Sequence, residues 1–181
     1  RQVGYTYWRN RDGYTPGLNR FPLAMRQPML YEQLIHTVDE MRFVYDAEVE
    51  RVTCKCSNPP WSMYDGDSTV MAVLEMEGPI HVNCFGTWSG QTQVNQFLWR
   101  TDCDDGALLQ QEITSDLRIA RGKDSQFTEA IELPDQEHLV DDTRLMLTDV
   151  LSQLLAGQTR PHPSAVDHLK TFAVIAAMDE S

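Results

Sequence analysis

A carboxylate and an imidazole one helical turn apart form a proton-handling pair, and Glu32 and His36 have that spacing. Imidazole titrates near neutrality. A carboxylate four residues earlier orients it and favours its charged form, which is the arrangement that lets a hydroxyl surrender its proton while it is oxidised to a carbonyl. The pair needs a helix to hold it. At about 100° per residue, Leu34, Val38, Met41 and Tyr45 fall on one side, while Glu32, His36, Asp39 and Glu40 gather on the other. The pattern predicts an amphipathic helix with its apolar stripe on a core and its titratable stripe outward. A solvated charged face has the same spacing.

The rest of the chain reads as the frame for that helix. Residues 2–8 alternate as a strand, and 10–28, rich in Gly, Pro, Asn and Arg, form a long loop before the helix. Val, Thr, Phe and Trp are concentrated in 48–57, 68–76, 80–89, 94–101 and 108–120, the last with a break near Thr114, and a final strand is expected at 127–133. Glu77-Gly78-Pro79 and Asp104-Asp105-Gly106 are turn sequences joining neighbours, which points to an antiparallel meander. The second of these lacks the ligand spacing of an EF-hand loop. In 138–156, leucines recur at helical spacing and are expected in the core, with Gly157 as the C-cap. Ser164 and Asp167 cap a last helix. The fold class is therefore α+β: an open, mostly antiparallel sheet with helices packed on one face, formed by a single domain over 1–181.

Composition excludes several functions. With 15 basic and 27 acidic side chains the net charge is −12, which repels phosphate backbones and anionic lipid headgroups, so nucleic acid and membrane surfaces are not expected partners. No stretch reaches the roughly 18 apolar residues of a membrane span, and the first residues do not read as a secretion signal. Cys54 and Cys56 share a face of one predicted strand and Cys84 lies on another, an arrangement open to a metal or a disulfide. With no second closely spaced ligand pair, buried free thiols in a reducing, cytoplasmic compartment are expected, and no metal. His81, His138, His162 and His168 lack matched partners in sequence and are assigned surface or structural roles.

Ile35-His36-Thr37-Val38-Asp39-Glu40-Met41-Arg42-Phe43 resembles the helix that opens the second domain of the glucose-fructose oxidoreductase and inositol dehydrogenase (Gfo/Idh/MocA) family, where Ile-His-x-x-Asp-x-x-Arg-aromatic is typical. Residues 67–78 and Phe85-Gly-Thr-Trp-Ser89 are similar to strands of that domain. Residues 151–157, Arg160-Pro-His-Pro163 and 164–181 resemble its two closing helices. The likeness covers nearly the whole chain, and the His36 helix is its specific part.

The resemblance implies that a preceding Rossmann domain supplies NAD or NADP and a catalytic lysine, and that this chain is the second half. It has no Gly-x-Gly-x-x-Gly after a strand and no Glu-Lys-Pro, so no cofactor is expected on this fragment. By the same resemblance His36 exchanges the proton of the reacting hydroxyl. Glu32, standing where dehydrogenases usually carry aspartate, is its partner. Trp8, Asn10 and Asp39 are the expected substrate contacts, Asn10 being the best match in the short polar segment. The substrate would be a sugar, cyclitol or related polyol. A homo-oligomer would form through the open sheet face, with Trp88, Phe97 and Trp99 placed either there or in the monomer core. The competing reading is a non-catalytic binding or assembly module that kept the fold, which the glutamate at position 32 favours. A metal-dependent hydrolase using His36, Asp39 and Glu40 needs further ligands that the sequence does not offer.

Overall fold

A computed structural model of the chain describes residues 1–11, 17, 19–113, 116–134, 137 and 140–181. The strands are β1 (Gln2–Trp8), β2 (Val49–Ser57), β3 (Thr69–Met76), β4 (Ile80–Thr87), β5 (Gln96–Cys103), β6 (Gly106–Gln110), β7 (Leu117–Arg121) and β8 (Glu129–Ile131). They form one eight-stranded sheet in the order β2-β3-β4-β1-β5-β6-β7-β8. The consecutive hairpins are antiparallel, as the turn sequences require, but β1 enters between β4 and β5 and runs parallel to β4. The expected 108–120 strand is two strands, β6 and β7; the proposed break at Thr114 lies outside the described residues, as do His138 and Leu139 of the next helix.

Alternation along β1 sets the two faces of the sheet: Val3, Tyr5 and Tyr7 are buried. Against them packs a helix in two parts. A π turn at Leu30–Leu34 runs directly into α1 (Ile35–Tyr45), and Met29, Leu30, Leu34, Val38 and Met41 are buried from it. Two hydroxyl contacts fix the docking. Thr37 Oγ1 donates to Tyr5 Oη at 3.0 Å, and Tyr45 Oη lies 2.6 Å from Thr101 Oγ1 and accepts from Trp99 Nε1 at 2.8 Å. Trp99 and Phe97 thus stand on the helix side, each edge-on to Tyr5, and Trp88 is buried with them. Of the two placements open in the sequence for these aromatics, the core is the one observed. The opposite face carries Trp8, Met71 and Val73, all exposed, with Phe85 stacked on Trp8 at 5.1 Å.

Two more helices follow the sheet, α2 (Asp141–Leu155) and α3 (Ala165–Glu180). Ser164 Oγ accepts from the Asp167 N–H at 3.1 Å, so the cap is formed, and Gly157 takes the left-handed conformation after α2 at φ +84°. α3 lies on β2 and α1 and buries Thr171, Val174, Ile175 and Met178. α2 buries none of its residues: Leu145, Leu147, Leu151 and Leu154 are exposed, which corrects the expectation that they are core. Helical periodicity establishes that such a stripe exists, and tertiary structure alone decides whether anything covers it.

Candidate functional site

The site begins at the junction between the π turn and α1. Ile35 N–H reaches back to the Leu30 carbonyl, the five-residue closure that defines the wide turn, and Glu32 lies inside it. His36 opens the regular helix and is exposed; Glu32 is half-buried. The extra residue in the turn means that Glu32 and His36 do not stack as two residues four apart in an uninterrupted α-helix would, and turns of this kind recur at functional positions. One turn beyond His36, Glu40 borders Tyr5. Desolvation there, reinforced by the neighbouring Asp39 carboxylate, raises its pKa above the ordinary carboxylate value although the residue still touches water. In sequence His36 thus stands between two glutamates, Glu32 in the π turn and Glu40 one turn further along α1.

Below this edge of the helix, the end of β1 presents two cations. Arg9 Nη1 donates to Tyr7 Oη at 3.3 Å, and the Arg11 guanidinium lies 4.4 Å over the Trp88 ring. Both arginines share the helix-facing side with Tyr7, as alternate residues of an extended segment must. In the sequence Arg9 was read only as the middle of the polar segment Trp8-Arg9-Asn10, and Arg11 was not singled out. The signal was the alternation itself, which carries the parity of Tyr5 and Tyr7 on to Arg9 and Arg11.

The same alternation places Trp8. Trp8 points to the other face, stacked on Phe85, so the structure does not bring it together with His36. Asn10 pairs by an isolated bridge with Ser89 just past the end of the strand. The Asp39 carboxylate faces α3 and stays partly exposed. Oδ1 accepts from Thr171 Oγ1 at 2.5 Å and lies 3.3 Å from both Arg42 Nη1 and His168 Nδ1. At the centre of that cluster is Arg42, with only 6% of its side chain exposed. Its Nε and Nη2 grip Glu48 at 2.7 and 3.1 Å, Nη2 also reaches Asp167 at 3.1 Å, and Nη1 donates to Thr171 at 2.8 Å. Hydrogen bonds from Arg42 and then Lys170 hold the Glu48 carboxyl down at about 2. The polar stripe read from the sequence therefore splits: Glu32, His36 and Glu40 border the open edge, while Asp39 and Arg42 lock α1 to α3.

Cys54 and Cys56 do share a face, with sulfurs 3.9 Å apart, and burial pushes the Cys84 thiol up to about 12, which makes it a poor nucleophile. Among the described residues no group of three or more His, Cys, Asp or Glu is placed to hold a metal, and no helix is long and apolar enough to cross a membrane. A cleft of about 940 Å³ opens between α1, α2 and α3, lined by Asp39, Glu48, Asp149, Gln153, His168 and Lys170 among others, and its lining does not include Glu32 or His36.

The chain is an α+β domain with the Glu32–His36 helix packed on one face of an open sheet and two arginines at the end of β1. The chain belongs to the GFO/IDH/MocA C-terminal domain family, whose model matches residues 1–108 of the 181. No curated protein sequence matches it. Among solved structures it is similar to an oxidoreductase from Agrobacterium radiobacter in complex with NAD+, L-tartaric acid and magnesium (TM-score 0.76, 15% identity, 99% of this chain and 54% of that one). It is also similar to levoglucosan dehydrogenase in complex with NADH and levoglucosan (TM-score 0.73, 14% identity, 99% and 56%). A third is an aldose-aldose oxidoreductase from Caulobacter crescentus complexed with glycerol (TM-score 0.72, 17% identity, 99% and 52%). At such identities the likeness is one of fold, and the chain spans about half the length of each.

Proposed function

We propose that this chain is the substrate-binding, acid/base and oligomerisation domain of an NAD(P)-dependent oxidoreductase acting on a sugar, cyclitol or related polyol. The observation that carries the reading is His36 exposed at the start of α1 with Glu32 one turn before it, in a chain of this family. Levoglucosan and glycerol, held by two of the similar structures, support the substrate class.

In this reading His36 accepts the proton of the substrate hydroxyl as its carbon is oxidised, and the Glu32 carboxylate favours the imidazolium that forms. Arg9 and Asn10 border the same strand end and bind the remaining hydroxyls. The described residues do not fit the dinucleotide itself: the sheet is mostly antiparallel, and no glycine-rich turn links a strand to a helix N-terminus. NAD or NADP is therefore assigned to the rest of a longer protein, and this chain's residues handle only the proton and the substrate. Trp8, Phe85, Met71 and Val73 give the open sheet face an apolar stripe that suits contact with a second copy.

The test is nicotinamide reduction with levoglucosan, L-sorbose, glycerol and myo-inositol, run on the 181-residue chain and on the longer protein that contains it. Turnover is expected only from the longer protein, and steady NADH production by this chain alone would overturn the division of labour. Within the longer protein, Glu32→Gln is expected to lower the rate about tenfold and to change its pH dependence, because the amide keeps hydrogen bonding without the charge. The second reading, a non-catalytic module, is favoured by the glutamate in place of aspartate, and full indifference of a measurable rate to Glu32 and His36 would select it.

A further inference from the structure

The π turn that holds Glu32 needs an external restraint, because a five-residue closure is a poor helix by itself and persists only where its surroundings fix it. Buried side chains supply part of that restraint: Met29, Leu30 and Leu34 are all 0% exposed. The polar part comes from the far end of the chain. Tyr31, next to Glu32 in the turn, donates its hydroxyl to Asp179 Oδ2 at 2.9 Å. Asp179 Oδ1 forms an ion pair with Arg26, and the buried Gln27 side chain hydrogen-bonds the same carboxylate. A single carboxylate at the end of α3 therefore holds Arg26 and Gln27, just before the helix, together with Tyr31 inside its wide turn. α3 can act as an anchor there because its own end is fixed: two residues on, Ser181 Oγ accepts from the Cys54 N–H of β2 at 2.8 Å.

We propose that Asp179, acting through Tyr31 and Arg26, is a positioning residue for the acid/base pair, fixing the π turn and with it the direction in which Glu32 is presented to His36. This rests on the acid/base reading of Glu32 and His36. A one-residue widening of a helix turns what precedes it by about 100° about the axis. Release of Tyr31 therefore lets the turn relax and rotates Glu32 relative to His36, with no change to either residue. Displacements of about 1 Å at a reacting pair are worth about a hundredfold in rate.

The experiment uses the longer protein, its nicotinamide cofactor, and whichever of levoglucosan, L-sorbose, glycerol and myo-inositol it turns over fastest. Tyr31→Phe removes one hydroxyl and leaves the ring's packing, so the fold is retained. It is expected to lower kcat about 10- to 100-fold with KM changed less than about threefold. Asp179→Asn, which keeps an acceptor for Tyr31, should recover most of the rate that Asp179→Ala loses. The Tyr31→Phe, Asp179→Ala double variant should be no slower than the slower single one, since both cut the same link. Amide exchange in the same proteins should quicken at least about tenfold at Leu34 and Ile35 and stay within about twofold at Met41 and Arg42. A normal kcat for Tyr31→Phe alongside a crippled His36→Ala overturns the proposal, as do additive losses in the double variant. If His36→Ala itself keeps full turnover, it is the acid/base reading that has failed. Exchange then decides the anchoring alone, and unchanged exchange at Leu34 and Ile35 would refute it.

Discussion

α2 and α3 are neighbours in sequence, near-equal in length and both rich in aliphatic residues, yet their situations are opposite. α3 buries Thr171, Val174, Ile175 and Met178, is capped by Ser164, and is tied to α1 at one end by Arg42 and to the π turn at the other by Asp179. α2 buries nothing, and its side-chain link to the segment leading into α3 is Gln153, which accepts from the His162 N–H and donates to the His162 carbonyl, both at 2.7 Å. α3 is the more apolar of the two overall, and its charges are also placed differently. α3 offers Asp167, Thr171 and Asp179 to fixed partners on α1 and on residues 26–31, so its register is specified. α2 has acidic residues in its first turn, which suit its N-terminus, but these pair locally. Most helical stability in proteins comes from packing of an apolar face, and α2 has no buried residue to supply it.

A large stability loss is expected at the joint between α3 and α1. Arg42→Ala removes a buried guanidinium shared by three partly exposed carboxylates, Glu48, Asp39 and Asp167, a loss of about 3 kcal/mol, at the lower end of the range for a buried pair because water reaches the carboxylates. In thermal unfolding this is a fall of roughly 10 °C for a chain of this size. A shift within about 2 °C would show that the hub is dispensable. The packing of α3 gives a loss of the same order. Ile175, 0% exposed, should cost about 2–5 kcal/mol when truncated to alanine, seen as a lower denaturant midpoint.

The third effect is one of pH. The Glu48 carboxyl sits at about 2, below its ordinary value of 4.5, so its contribution is present above 4.5 and is lost as pH falls from there through about 2. Glu48→Gln should therefore flatten the acid limb of the stability curve in that window and leave its shape above about pH 5 unaltered; an unchanged acid limb would remove Glu48 from the network. The smallest effect is expected on α2. Leu151, 57% exposed, should change stability by less than about 0.5 kcal/mol as alanine in this isolated chain. A loss comparable to that at Ile175 would mean that α2 is covered after all, and sedimentation of the same sample would show whether a second copy covers it.

Local features were legible in the sequence because their causes are local. The α1 stripe, the Ser164 cap, Gly157 and the two hairpin turns arise from spacing and residue type within a few positions. Contacts between distant residues were not legible. The Asp39–Thr171 hydrogen bond spans 132 residues and has no trace in local spacing. Trp8 was read as a substrate contact and Trp99 as a residue of either the sheet face or the core; alternation along β1 puts Trp8 on the open face, and pairing of β5 beside β1 puts Trp99 against Tyr5 under α1. The π turn was not read from the sequence, and the hydrogen-bond partner of Tyr31 within it, Asp179, lies 148 residues away. In the candidate site the pair Glu32–His36 was identified by type and spacing, whereas Arg9 and Arg11 required knowing which face of β1 the helix covers.

The most direct measurement is single-turnover oxidation by the longer protein carrying His36→Ala, with cofactor affinity and unfolding temperature measured on the same sample. His36 is exposed, so its loss should leave the fold intact, and it is not asked to touch the nucleotide. Acceptance of a proton in the transition state is worth about two to four orders of magnitude, so the rate should fall by that factor with cofactor binding unchanged. Near-normal turnover in an intact, cofactor-binding variant would contradict the assignment and leave the outward stripe of α1 as solvated surface.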